Sequence, residues 1–380
     1  MRLRNLHTQE VARTVGWRIG KTAAGQPAVR NESLSHSIPL DADSIAGQSD
    51  ALCPPRQAPT FPRVEERVYS DVALQAGSVP GHEQQYSQLS PRAFEGNLLT
   101  YAVSDRVSFF VERTNVSIRK RFSVSPGHLR LGFVTNERHH CCGNGKILPG
   151  DAVSANFPTT SLDLHFPETY KEYEGSWITL DLNSVIQVGV GEVTRDLNQP
   201  DRFQVSGRPV NMLRNVIGTA RKELFAPESK PVSPGIAAAF EKTLLSMAAW
   251  IVAAALDVDE QGGRIYPAHR ARCFRRACEV IDARLGDDLT MQELCSFVGA
   301  SRRSLENIFL ETLGVSPYQY VRMIRLNLIR KELLAAENQR VPIGDIAAKY
   351  GIWHLSRFAY DYKRVFGHLP SQGRRLALSA

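Results

Sequence analysis

Between Thr290 and Phe366 one local pattern occurs twice, and it leaves this part of the chain few ways to fold. Thr290-Met291-Gln292-Glu293 has the form of a capping box, in which the threonine hydroxyl accepts from a backbone N–H and the glutamate reaches back to the threonine's own N–H. Leu294, Cys295 and Val298 then recur at helical spacing until Gly299-Ala300 interrupts them. Ser301 is a good cap for a second helix carrying Leu305, Ile308, Phe309 and Leu313 inward, and Gly314 ends it, because glycine takes the left-handed conformation without steric cost.

A longer helix follows, with Ser316 as cap, Pro317 at the first helical position and Gln319 completing a second box. The pattern carries it to about Ala336, with Leu326, Ile329 and Leu333 toward a core and Arg322, Arg325, Arg330 and Lys331 left for solvent or phosphate. Some twenty residues at 1.5 Å each span roughly 30 Å, close to the roughly 34 Å of one B-DNA turn. The second unit begins at Pro342, places Ile343, Ile346 and Ala347 on one face, turns at Gly351-Ile352 and continues in a helix with Phe358, Tyr362, Val365 and Phe366 until Gly367. Two helix-turn-helix units, 291–312 and 342–365, on one rigid connector suit two successive major-groove segments on one face of a duplex.

Charge agrees with that reading. The formal net charge is +7, and residues from Arg270 onward hold 18 of the 46 Lys+Arg but only 11 of the 39 Asp+Glu, so the whole excess lies in this region. Clustered positive charge supplies the sequence-independent attraction to phosphate.

Ser301-Arg302-Arg303-Ser304-Leu305, Leu313-Gly314-Val315-Ser316-Pro317, Ile346-Ala347, Gly351-Ile352-Trp353-His354-Leu355 and Phe366-Gly367 with Pro370-Ser371 resemble the DNA-binding domain of the AraC/XylS family of bacterial transcription regulators, over about a hundred residues. Ile324-Arg325-Leu326-Asn327 and the Trp353-His354-Leu355 turn are most similar to the ethanolamine-operon type within it. Ile352, Tyr362 and Leu369 depart from the usual residues by exchanges a core absorbs. The resemblance implies that both second helices enter adjacent major-groove segments, that a small-molecule effector binds inside an N-terminal barrel, that helices after the barrel form a homodimer, and that RNA polymerase is a partner.

Upstream, residues 1–62 are rich in Ser, Gln, Ala, Asp and Pro without a sustained period, which predicts a mobile tail. From about Val64 to Leu182, runs at 97–103, 107–111, 129–134, 152–157, 161–166 and 177–182 read as short strands of a barrel or sandwich. Gln85-Tyr86, Gln88-Leu89-Ser90-Pro91 and Phe94-Glu95-Gly96 resemble the start of the cupin-like sensor of the same regulators. Helices are expected over Val210–Phe225, with Met212, Val216 and Ala220 on one face, and over Ile236–Leu256, with Phe240, Leu244, Met247, Ile251 and Ala255. The fold class is therefore α+β: a cupin-like β-barrel or sandwich sensor with following helices over 63–257, a linker over 258–268, and an all-α double helix-turn-helix domain over 269–375.

Six cysteines form no disulfide framework, no apolar leader follows the N-terminus, and the run Leu244–Leu256 is too short to cross a bilayer, so a cytoplasmic protein without membrane contact is expected. His139-His140-Cys141-Cys142 suggests a metal, but consecutive strand residues point to opposite faces, so no metal site is assigned; an exposed Cys142 remains a candidate redox-sensitive thiol. No phosphate loop or nucleophile elbow occurs, so neither an enzyme nor a cofactor is expected.

The candidate DNA-binding residues are Arg302, Arg303, Glu306 and Asn307 on the first reading helix, and His354, Ser356, Arg357 and Tyr360 on the second, with Lys363 nearer the backbone. Arginine pairs with guanine, asparagine with adenine, and glutamate accepts from cytosine, although each also suits phosphate or plain solvent. Trp353 is expected to pack at its turn. Tyr101, Phe109, Phe110, Phe133, His139 and Trp177 are candidates for lining an effector pocket or simply for core. These features favour a ligand-responsive, dimeric activator acting on double-stranded DNA, with a metal-binding cupin enzyme that carries an accessory DNA-binding domain as the alternative.

Overall fold

The computed structural model describes residues 61–79, 83–136, 138–157, 161–167, 172–189, 204–226, 232–257, 268–287, 289–335, 338 and 340–378, together with two short strands nearer the N-terminus. Those two, β1 (Arg18–Lys21) and β2 (Pro27–Arg30), pair antiparallel. Nearly all the rest of the expected tail and nearly all of the expected linker lie outside the described residues.

Twelve further strands form two open antiparallel sheets. The larger has the order β14 (Gln204–Ser206), β11 (Ala152–Asn156), β8 (His128–Val134), β13 (Tyr173–Asp181), β6 (Val107–Thr114), β5 (Gly96–Ala102) and β3 (Arg63–Tyr69). The smaller runs β10 (Lys146–Leu148), β9 (Cys141–Gly143), β12 (Ser161–His165), β7 (Ile118–Ser123) and β4 (Gln84–Gln88). They close no barrel among the described residues, so of the two expected arrangements the structure has the sandwich.

Strand alternation divides the apolar side chains into separate layers. Phe109 and Val111 of β6, Leu129 and Leu131 of β8, and Ile178 and Leu180 of β13 face the helices α3 (Arg208–Glu223) and α4 (Pro234–Asp257). The alternate residues Phe110, Val134 and Trp177 face the smaller sheet, where they meet Ile118, Phe122, Cys141 and Leu164. Two short helices, α1 (Val72–Gly77) and α2 (Leu182–Gly189), complete this half.

On α3 the buried stripe is Val210, Leu213, Ile217 and Ala220; of the expected face Ala220 is buried and Val216 packs against the core, but Met212 is exposed. The expected inward residues of α4 are all buried. With 24 residues, α4 is longer than the apolar run within it and is long and apolar enough to cross a membrane by length and composition. Phe240, Leu244 and Ile251 instead bury against the larger sheet.

The C-terminal half contains α5 (Ala268–Ala283), α6 (Met291–Val298), α7 (Arg302–Leu313), α8 (Pro317–Leu334), α9 (Ile343–Lys349), α10 (Leu355–Phe366) and α11 (Pro370–Leu378). Its core also takes in Leu89 and Cys142, from the outer side of the smaller sheet. Cys141 points between the sheets and Cys142 points the other way, both buried, so Cys142 is not the exposed thiol expected. Among the described residues no group of three His, Cys, Asp or Glu is placed to hold a metal ion.

Candidate nucleic-acid interface

Local sequence fixes each turn of this interface. Thr290 and Glu293 form the expected capping box on α6, and Ser316 and Gln319 form the second on α8, where Pro317 occupies the first turn. The Ser301 hydroxyl accepts from the Ser304 N–H to start α7. Gly299, Gly314 and Gly367 adopt φ of 72°, 75° and 80°, the left-handed conformation that ends α6, α7 and α10. The eighteen residues of α8 extend about 27 Å at 1.5 Å each. Leu326, Ile329 and Leu333 are buried as expected.

The core holds the reading helices by their inner faces. Leu305, Ile308, Phe309 and Leu313 bury one side of α7; Phe358, Tyr362, Val365 and Phe366 bury one side of α10. The opposite sides therefore face solvent. On α7 these are Arg302, Arg303 and Asn307, with Glu306 half-buried and paired to Arg302 at 3.0 Å. On α10 they are His354, Ser356, Arg357, Tyr360 and Lys363, all exposed. Every expected DNA-binding residue thus lies on the outer side of its helix or beside it.

Two features depart from expectation. Trp353 stands 68% exposed at the start of the α10 stripe rather than packing into the turn, because Ile352 takes the inward place. Arg364, not singled out from the sequence, is exposed near Arg357 and Arg322. Partial burial first, and then repulsion from Arg357 and Arg364, lowers the Arg322 pKa, although Arg322 also pairs with Asp361.

Of the four basic residues expected on the free side of α8, only Lys331 is exposed. Arg322 pairs with Asp361, Arg325 donates to the carbonyls of Leu285 at 3.2 Å and Asp287, and buried Arg330 pairs with Asp71. These arginines fasten elements together, which spacing within one helix cannot reveal.

The candidate effector residues separate into different layers. Phe110 and Trp177 lie between the sheets, with ring centroids 6.4 Å apart. Tyr101 stacks on Phe109 at 4.2 Å on the helix side, the side to which Phe133 also belongs. His139 is half-buried in the loop before β9, and burial lowers its pKa. Phe133 and Trp177 line one small space, of about 20 Å³, to which Tyr101, Phe110 and His139 do not contribute.

Residues 294–376 match the family model described as a helix-turn-helix domain. A probable thc operon regulatory protein from Rhodococcus erythropolis is 32% identical over 155 residues, covering 40% of this chain and 45% of that protein. A XylDLEGF operon transcriptional activator from Pseudomonas putida is 35% identical over 102 residues, covering 27% of this chain and 32% of its own. The chain thus spans less than half the length of either relative. A solved structure of a transcriptional regulator of the AraC-type DNA-binding class from Chromobacterium violaceum is 26% identical, covers 29% of this chain and 96% of its own, and has a TM-score of 0.27.

Proposed function

We propose that this chain is a sequence-specific DNA-binding transcription regulator of the AraC/XylS kind, an activator whose output is set by a small molecule bound in the N-terminal sandwich. The observation that carries the reading is the pair of outward stripes, Arg302-Arg303-Asn307 and Trp353-Arg357-Tyr360-Arg364, on reading helices that share the connector α8. Two such helices on a connector about 27 Å long match successive major-groove segments. The basic excess of this half supplies the phosphate attraction beneath base readout.

The relatives support the word activator, since one is named for activating an operon. The narrower likeness to ethanolamine-operon regulators rests on the short stretches Ile324–Asn327 and Trp353–Leu355 and leaves the effector open. Dimerisation through the outer helices and contact with RNA polymerase belong to the same proposal. Exposed Met212, Ile236 and Trp250 on α3 and α4 supply an apolar surface suited to a second copy.

The test is recovery of sheared genomic DNA by the purified chain at moderate salt, followed by sequencing. A few promoters sharing paired motifs about one helical turn apart are expected. Uniform recovery that vanishes as salt rises would reduce the activity to its electrostatic part and overturn the regulator reading.

A further inference from the structure

β3 ends the larger sheet. It pairs with β5 through seven residues, and among the described residues no strand lies on its other side. An edge of that length presents a row of backbone donors and acceptors able to continue a sheet. The pairing with β5 fixes where its side chains stand, because residues directly opposite share a face. Val64, Glu66 and Val68 lie opposite Asn97, Leu99 and Tyr101 in reverse order, on the side of α3 and α4. Arg63, Glu65, Arg67 and Tyr69 lie on the side of the smaller sheet, where Tyr69 packs against the core.

Val68 is 78% exposed and Val64 44%, and exposed Phe61 and Leu74 flank the strand in sequence. Apolar side chains gathered at one place on a surface favour a partner. Charge names the partner. Turned antiparallel on a second copy, about a two-fold axis through Glu66, the run Arg63-Val64-Glu65-Glu66-Arg67-Val68-Tyr69 sets Val64 against Val68 and Glu65 against Arg67, each pair twice. Within one copy Glu65 already accepts from Arg67 Nε at 2.5 Å and from Arg63 at 3.5 Å, so the charges of both copies alternate along the junction.

A two-fold axis keeps each face of the sheet on its own side, so the competing registers are those with the axis moved by one residue, which shifts every pair by two. An axis through Glu65 sets Arg63 against Arg67 and Val64 against Glu66. An axis through Arg67 sets Arg67 against itself and Val68 against Glu66. Only the register centred on Glu66 matches valine with valine and acid with base. Its one conflict is Glu66 facing its own copy, and there the carboxylate is drawn back over β5 by Asn97 Nδ2 at 2.8 Å. Charges at an edge ordinarily hold other strands off; here their order pairs with itself.

We propose that β3 is a contact between two copies of this chain, joined edge to edge into one continuous sheet in the register centred on Glu66. The surface is separate from the outer faces of α3 and α4, and the proposal is independent of what the helical half binds.

The experiment is sedimentation equilibrium of the full chain without DNA, with amide exchange of β3 followed above and below the dissociation range. Reversible association is expected, with β3 amides protected only in the associated form. Val64→Lys with Val68→Lys, and separately Arg67→Glu, should each weaken association at least tenfold. Glu65→Arg combined with Arg67→Glu should restore it, because the swap returns both acid–base pairs. Glu66→Gln should tighten it by removing the like charge on the axis, while Trp250→Glu on α4 should leave β3 protection unchanged. The altered side chains are exposed or half-buried, and thermal midpoints confirm folding; if the arginine variant does not fold, the lysine pair and Glu66→Gln decide.

A natural chain that stays monomeric at its highest soluble concentration overturns the proposal. So does association that survives the lysine pair, or a folded charge swap that fails to restore it. Protection of β3 that does not change on dilution would put a segment of the same chain on this edge, and overturns it equally.

Discussion

His165 shows what a single buried group contributes. It sits at the end of β12, fully buried, with Nε2 3.0 Å from the Tyr320 hydroxyl of α8 and Nδ1 3.7 Å from Asp163. Burial first, opposed by Asp163 and Asp282 and reinforced by Arg119 and Arg121, lowers its pKa to about 4. The unfolded chain therefore binds a proton near pH 6.5 that the folded chain refuses until about 4. Its stabilising effect is complete above pH 6.5 and is lost as pH falls toward 4. A shift of this size corresponds to on the order of 3 kcal/mol. Urea unfolding of the natural chain and His165→Gln at pH 7 and pH 5 checks it: the natural chain should lose more stability between the two. Parallel losses would show that His165 does not govern the acid sensitivity.

At the scale of elements, the connector and its caps were legible because capping is a short-range pattern. Ser316→Ala removes the hydroxyl that accepts from the Gln319 backbone N–H at 3.3 Å, and should cost about 1 kcal/mol. An unchanged thermal midpoint would mean that the tertiary core alone fixes the start of α8. The same stretch supports a test of readout. Arg303→Ala and Arg357→Ala should each lower affinity for a recovered promoter by about 1–3 kcal/mol if the side chain reads a base. A loss of equal size on unrelated duplexes would assign that arginine to phosphate.

Other elements were hidden by charge. The stretch Ile118–Ser123 does not read as an alternating strand because Lys120 occupies an inward position between Ile118 and Phe122, and a fully buried lysine is rare. In α5, four arginines and two acids mask the stripe of Cys273, Phe274, Ala277, Cys278 and Ile281 that fills the core. The assignment of strands to two sheets, and the partner of Arg330 at Asp71, depend on contacts distant in sequence, which local periodicity does not contain. The outer stripes of α7 and α10 were legible for the opposite reason: their inner apolar residues lie close together in sequence.

At the scale of the molecule, β7 joins the space between the sheets to the helical half. Lys120 faces the space between the sheets, while its neighbours Arg119 and Arg121 face α5. Arg119, only 3% exposed, holds Asp163 of its own sheet at 2.5–2.8 Å and Asp282 of α5 at 2.6–2.7 Å. Around it Asn327 of α8 exchanges two hydrogen bonds with the Gln88 backbone, at 2.8 and 2.9 Å, so two stretches that carried the family resemblance meet here. A displacement of β7 by a ligand on its inner face would reach these contacts within one residue, which gives the two halves a physical means of coupling. Asp282→Asn tests it, because Arg119 keeps Asp163 as a counter-charge and the sheet retains its own pair. Amide exchange in β7 and α5 should quicken, and affinity for a recovered promoter should shift from that of the natural chain. Unchanged exchange together with unchanged DNA affinity would mean that the Arg119–Asp282 pair fastens the halves without transmitting anything between them.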